Sequence, residues 1–268
     1  MAIPRAAARV LLEEAARLRP SGPVLQLGPQ VVHASPAELR TYAEESGIRV
    51  EGKETELFGL MGFSEIDSID LHDPSATFRH DLNDPIPEGL AGKYGAVIDG
   101  GTMEHVFSTE QVLANVHALL APGGLAIHIA PTNNYVDHGY YMFGPRFFHD
   151  HYRANGYRIE TIQVLQHTRR WHRGTYRALP YEPGSLDRWS MGGFEQGQLI
   201  TLAIARRVEG STSGVCPELP KDAAFRPGRA EGLPPVVQRL IMAARGARPG
   251  SSVLALARGP VRRRGRKV

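Results

Sequence analysis

The stretch from Lys93 to Phe148, KYGAVIDGGTMEHVFSTEQVLANVHALLAPGGLAIHIAPTNNYVDHGYYMFGPRFF, constrains the fold more than any other part of this 268-residue chain. Gly95–Ile98 is a short apolar strand that runs into Asp99, Gly100 and Gly101. Ser108 then caps a predicted helix over Thr109–Leu120, with Val112, Leu113, Val116, Leu119 and Leu120 on one face. Pro122-Gly123-Gly124 ends that helix, and Leu125–Ala130 is the next strand. A polar loop rich in His, Asn and Tyr follows. A doubly wound sheet places its polar site at the carboxyl ends of its strands, and this order supplies one.

The rest of the chain alternates in the same manner. Residues 5–18 favour a helix, which Pro20-Ser21-Gly22-Pro23 stops. Val24–Leu27 is a strand ending at Gly28, and Ser35-Pro36 opens a second helix. A short helix is predicted over Lys53–Met61, and strands over Ile66–Leu71 and Thr77–Leu82. Pro145–Ala154 is helical up to Asn155-Gly156. Tyr157–Leu165 and Leu199–Arg206 are the last two strands. Alternating strands and helices imply a mostly parallel α/β sheet. Residues 1–208 form the predicted domain, with 1–23 as its N-terminal helix. Residues 209–268 are a Gly-, Pro- and Ser-rich extension, with one helix over Pro235–Arg245 and a basic, disordered tail.

Composition narrows the function classes. The formal net charge of +3 is misleading. The tail 258–268 holds six of the 31 Lys and Arg and no acid, so the remainder carries 25 basic residues against 28 acidic ones. A nucleic-acid partner is therefore not supported by the body of the chain, and only the tail could contact one. The lone Cys216 excludes an internal disulfide and a cysteine-based metal cage, and fits a reducing, cytoplasmic compartment. Glu13 and Glu14 interrupt the N-terminal apolar pattern, so it reads as an amphipathic helix rather than a signal peptide. No apolar run is long enough to span a membrane.

In order along the chain, VLQLGPQ, DLNDPIP, GGTMEHVF, LLAPGG and PTNNYVDHGYYMF resemble a bacterial subgroup of the class I, Rossmann-like S-adenosylmethionine-dependent methyltransferases, over about Val24 to Val208. LLAPGG is the most specific single element. The resemblance implies a doubly wound, mostly parallel seven-stranded sheet with an antiparallel last strand. It implies S-adenosylmethionine as cofactor and a small polar acceptor, such as a sugar or secondary metabolite, methylated on oxygen. The ribose diol would be accepted by Asp70 beside Leu71, with Asp73 as the neighbouring choice. Asp81 and Leu82 would grip the adenine. The first loop would contribute Gln26, Gly28 and Gln30, and the backbone at Asp99, Gly100 and Gly101 would face the methionine end. That first loop departs from the family pattern: it has one glycine, followed by Pro29.

Methyl transfer to a hydroxyl needs alignment and removal of a proton. Histidine suits that task near neutral pH. His138, in the loop after the fifth strand, is the first choice of base, and His105 the second. Asn133, Asn134, Tyr140 and Tyr141 can hydrogen-bond to and stack on an acceptor. Glu104, His105, His128 and His138 are conceivable metal ligands, but no spacing such as HExxH joins them, so no metal is expected. Arg169, Arg170, Trp171, His172 and Arg173 lie between the last two strands. Insertions there in similar proteins build a lid or an oligomer contact, which leaves a homodimer open. The alternative functions are a non-catalytic Rossmann-like binder or scaffold, and a nucleic-acid modifier recruited by its tail.

Overall fold

The computed structural model describes residues 2–50, 56–167, 176–189, 194 and 197–219. The Arg169–Arg173 cluster, the helix expected at Pro235–Arg245 and the basic tail lie outside the described residues. The chain divides into two units. The main one covers residues 1–185 and 194–219. Of the other, only residues 186–189 are described, and they include a single 3-10 turn, Asp187–Trp189.

The main unit contains strands β1 (Ala2–Ile3), β2 (Pro23–Leu27), β3 (Val31–Val32), β4 (Glu65–Asp70), β5 (Phe78–Arg79), β6 (Tyr94–Asp99), β7 (Leu120–Asn133), β8 (Arg158–His167), β9 (Tyr176–Pro180) and β10 (Gln198–Arg206). Its helices are α1 (Arg5–Leu18), α2 (Pro36–Glu45), α3 (Leu57–Met61), α4 (Thr109–Leu119) and α5 (Pro145–Ala154). One sheet has the order β5-β4-β2-β6-β7-β10-β8-β9. The pairs β5·β4, β4·β2, β2·β6 and β6·β7 are parallel, and β10 runs antiparallel to both β7 and β8. This is the doubly wound sheet expected, its last strand, β10, reversed and inserted between β7 and β8. Two features go beyond the expectation. β9 adds an eighth strand at the edge, and β1 and β3 form a separate parallel pair.

Local codes explain the helix ends. The Ser35 hydroxyl accepts from the Glu38 amide, and the Glu38 carboxylate accepts from the Ser35 amide, so both groups cap α2. Pro145 occupies the first turn of α5, where no amide hydrogen is needed. Ser108 precedes α4 but makes no side-chain cap bond; its amide donates to Asn83 instead. The Pro122-Gly123-Gly124 turn does not terminate α4. The helix ends at Leu119 and the chain is extended from Leu120, which pairs with Tyr94 of β6, and further on Gly123 N donates to Arg207 O and Arg207 N donates to Gly124 O. A distant segment thus overrides the local turn signal.

Alternation sets the two faces of the sheet. Ala96, Ile98, Leu125, Ile127, Ile129, Ile200, Leu202 and Ile204 pack into one core with α1, α2 and α3. Each large side chain buried there contributes roughly 1.5–3 kcal/mol. Leu57, Phe58, Leu60 and Met61 of α3 belong to that core. The opposite face carries Asp99 and His128, which meet α5. Asp99 Oδ1 accepts from the amides of Thr102 (2.9 Å) and Met103 (3.1 Å), and its Oδ2 meets His128 Nδ1 at 3.0 Å. His128 Nε2 meets the Tyr152 hydroxyl at 2.6 Å. All three side chains are buried. Residues 209–219 also join this unit: Thr212 N donates to Asn155 O, and Val215 N to Asn155 Oδ1.

His151, also on α5, is buried, and that burial pushes its imidazole down to about 4, helped by the nearby His128 and His117. The neutral ring is therefore favoured in the fold. Its contribution is complete above the unfolded value near 6.5 and is lost as pH falls through about 4. Wild type minus His151→Gln should show a stability difference that shrinks by about 2–3 kcal/mol between pH 7 and pH 4. Urea denaturation of both proteins across that range checks it. A pH-independent difference would contradict it.

Candidate functional site

β2 lies between β4 and β6, and the crossovers leave these neighbours in opposite directions along the sheet. The carboxyl ends of β2 and β6 therefore bracket the switch point, where open α/β sheets bind ligands. Leu27 is in register with Asp99 across that seam. The Thr102 hydroxyl donates to Leu27 O and ties the two exits together. A cavity of about 560 Å³ opens beside them. Gly100, Gly101, Glu104, His105, Ile129, Pro131, Tyr135, His138, Gln198 and Ile200 line its sheet side, and Ala2, Pro4, Val31 and His33 line the other.

Two segments bring the chemistry together. The 3-10 turn Met103–His105 follows β6 and turns Glu104 inward. The loop after β7 returns His138 to the same place. Tyr140 N donates to Glu104 O at 2.8 Å, and His138 N donates to Tyr135 O at 3.1 Å. Gly139 is needed for this approach: a Cβ there would lie 2.8 Å from Glu104 O and 3.1 Å from its Cγ. His138 Nε2 is then 3.6 Å and His105 Nε2 3.9 Å from Glu104 Oε1. The two rings meet edge to face at 5.0 Å.

The electrostatics are uneven. The Glu104 side chain is 1% exposed, whereas His105 and His138 are 43% and 48% exposed. Burial and then the negative Asp99 push the Glu104 carboxyl up to about 8. Its Oε2 is buried with no hydrogen-bond partner among the described residues. Desolvation, with the neighbouring His138, lowers His105 and so favours its neutral ring. Desolvation and the nearby Glu104 raise the Tyr135 phenol to about 12, so it stays a hydrogen-bond donor.

The other expected site residues are distributed around this cavity. Gly28 has φ +70° and donates its amide to Ile69 O, which turns the first loop sharply out of β2. Gln26 Oε1 accepts from Gln30 N at 2.7 Å, and Gln30 Nε2 donates to Leu27 O and Gly28 O. The Gln30 carboxamide lies directly over Gly100, where any Cβ would run into it. Gln30 Oε1 is buried without a hydrogen-bond partner among the described residues. Asp70 ends β4 and accepts from the amides of His72 and Asp73. Asp81 accepts from Asn83, and Leu82 is buried. Asp70, Leu71, Asp81 and Leu82 are outside the cavity lining. The Asp99 carboxylate is committed to His128 on the α5 face, so only its backbone borders the switch point. His128 is part of that buried network and is separate from the Glu104 cluster.

The proposed acceptor residues Asn133, Asn134, Tyr140 and Tyr141 are outside the cavity lining. Asn134 has φ +63° and donates to Gly197 O. Asn133 accepts from the Asn134 amide. Tyr140 packs edge-on against Phe107, and the Tyr141 hydroxyl donates to Phe107 O. Tyr135, Gln198 and the N-terminal wall of Ala2, Pro4 and His33 are additional lining residues. The wall is built by the two-residue β1·β3 pairing, and no periodicity marks so short an element.

No family model and no curated protein matches the chain. It is similar in structure to the trans-methyltransferase CalH in complex with SAH, at 16% identity over 75% of this chain and 55% of CalH, with a TM-score of 0.44. The chain thus spans only about half the length of CalH. It is similar to a SAM-dependent methyltransferase from Archaeoglobus fulgidus, at 12% identity over 74% of this chain and 94% of that one, TM-score 0.40. A third is 1,6-didemethyltoxoflavin-N1-methyltransferase from Burkholderia thailandensis, at 16% identity over 76% and 78%, TM-score 0.33. At such identities and scores these likenesses fix neither reaction nor substrate. Among the described residues no helix is long and apolar enough to cross a membrane.

Proposed function

We propose that the chain is an S-adenosylmethionine-dependent methyltransferase of the cytoplasm that methylates a hydroxyl of a small polar acceptor, such as a sugar or secondary metabolite in a bacterial biosynthetic route. The observation that carries this reading is the placement of the 560 Å³ cavity at the switch point, with Gly100 and Gly101 on its wall and two histidines facing in. Its volume is in the range of small-molecule sites. The strand order, with its reversed β10, supports the same reading.

The residues present fit the cofactor. Its methionine end carries an ammonium, and Gln30 Oε1 is a buried acceptor that has no partner among the described residues. Gln26, Gly28, Gln30 and the backbone at Asp99, Gly100 and Gly101 would hold that end. Asp70 with Leu71 would take the ribose diol, and Asp81 with Leu82 the adenine. When bound, the cofactor supplies a methyl group activated by its sulfonium. The chain's own residues orient the acceptor and receive its proton. His138 Nε2 is the proposed base and His105 the second; Asn133, Asn134, Tyr140 and Tyr141 guide the acceptor.

Incubation with S-adenosylmethionine and a panel of nucleotide sugars and small phenols, read as release of S-adenosylhomocysteine, tests the reaction. Acceptor-dependent release supports it. The Gln30 carboxamide over Gly100, following Pro29, favours one other reading, a non-catalytic binder of the same cofactor. Cofactor binding without release across the panel would select that alternative.

A further inference from the structure

We propose that Glu104, His105 and His138 form a binding site for one divalent transition-metal ion at the acceptor end of the cavity. The proposal builds on the methyltransferase reading by placing an ion where the acceptor must sit. The separation of the ligands in sequence hides it: Glu104 and His105 are adjacent, and His138 comes from another loop.

The geometry is that of an open three-ligand centre. Each residue offers one donor atom, and the three atoms lie within 4.8 Å of one another. Glu104 Oε1 is 3.6 Å from His138 Nε2 and 3.9 Å from His105 Nε2. These separations exceed hydrogen-bond length, so the groups do not satisfy one another. Donors about 2.0–2.1 Å from a tetrahedral ion stand roughly 3.4 Å apart. The two Glu104–His separations need to close by only a few tenths of an ångström, and rotation of the two exposed imidazoles would bring their donor nitrogens together around the ion.

A second, independent observation points to a ligand. Glu104 Oε2 is buried and has no hydrogen-bond partner among the described residues, on a side chain only 1% exposed. A carboxylate held there without a cation is costly. The backbone is committed to keeping it there, through Tyr140 N to Glu104 O and the close approach of Gly139. Two imidazoles and one carboxylate suit Zn²⁺, Fe²⁺, Co²⁺ or Mn²⁺ and leave coordination positions open toward the cavity. An acceptor bearing a hydroxyl, or two adjacent ones, would fill them. An ion held by these three residues would lower the hydroxyl's pKa and let its proton pass to water, and the acceptor oxygen would bond to the methyl carbon as the carbon–sulfur bond broke, its electron pair staying on sulfur. His138 serves in this arrangement as a ligand rather than as the base.

The test is metal binding by the full chain, stripped with a chelator, titrated with Zn²⁺, Mn²⁺ and Co²⁺ by calorimetry and by the visible absorption of Co²⁺. The expected result is one site per chain for at least one of these ions. His105→Ala, His138→Ala and Glu104→Gln should each weaken it by about tenfold or more. His72→Ala and His80→Ala, outside the cavity, should leave it unchanged, and circular dichroism confirms that each variant is folded. Absence of binding by all three ions at about 100 μM would overturn the proposal. So would binding that both His105→Ala and His138→Ala leave intact. S-adenosylhomocysteine binding, measured on the same samples, separates the two readings. Cofactor binding with no metal binding removes only the metal site and leaves His138 as base. Metal binding with no cofactor binding upholds the site and removes the methyltransferase reading.

Discussion

Replacement of Asp99 by alanine is expected to destabilise the main unit by about 3–5 kcal/mol, the scale for removing one partner of a buried charged network. The carboxylate is fully buried and has three jobs. It caps the turn after β6 through the Thr102 and Met103 amides, and it orients His128. His128 in turn holds the Tyr152 hydroxyl of α5. Alanine leaves two amides and an imidazole nitrogen without acceptors in an interior that excludes water. Asp99→Asn keeps one acceptor and should cost less, about 1–3 kcal/mol. Chemical denaturation of the three proteins at pH 7 checks the order. An Asp99→Ala variant within about 0.5 kcal/mol of wild type would show that the network does not support the fold.

His138→Ala is expected to reduce methyl transfer by about 10²–10⁴-fold while leaving the fold intact. The ring is nearly half exposed, so its removal opens no core cavity. Its loop is held independently by the Tyr140 N to Glu104 O bond. Both assignments for His138, base and metal ligand, require this loss. They part on its pH dependence and on chelator sensitivity. A base imposes an ionisation near its own pKa that is insensitive to chelators, whereas an ion site makes activity depend on added metal. Full activity in His138→Ala with acceptor saturating would remove His138 from the chemistry altogether. His105→Ala should cost less if His138 is the base, and about as much if both are ligands.

Elements with strong local signals were legible in the sequence. α1, α2 and α5 stand at the residues that caps and prolines indicate, Ser35 with Glu38 and Pro145 with Asn155. The strands β2, β4, β6, β8 and β10 lie within about two residues of the segments read as strands; β2, β6 and β10 are buried along most of their length and read as continuous apolar runs, whereas β4 and β8 read by alternation. What the sequence did not show is non-local. β7 starts at Leu120 because that residue pairs with Tyr94 of β6. β1 and β3 are two residues each and exist only through one another.

The site divides along the same line. His105, His138, Gly100 and Gly101 were legible because each sits at the end of a strand that could be read. The role of Glu104 was not, because it depends on the loop carrying Gly139 and Tyr140 folding back over it. Nor was the partner of Asp99, since alternation places an acid on one face but not the helix that meets it.

The proposed function requires this sheet to bind S-adenosylmethionine at its switch point. Isothermal titration of the intact chain with S-adenosylmethionine and with S-adenosylhomocysteine measures that binding. The expected result is one site per chain, with a dissociation constant below about 100 μM for at least one of them. Gly100→Val, which forces a side chain into the Gln30 carboxamide, should abolish that binding. No heat of binding for either compound up to about 1 mM, from protein shown to be folded, would contradict the proposed function.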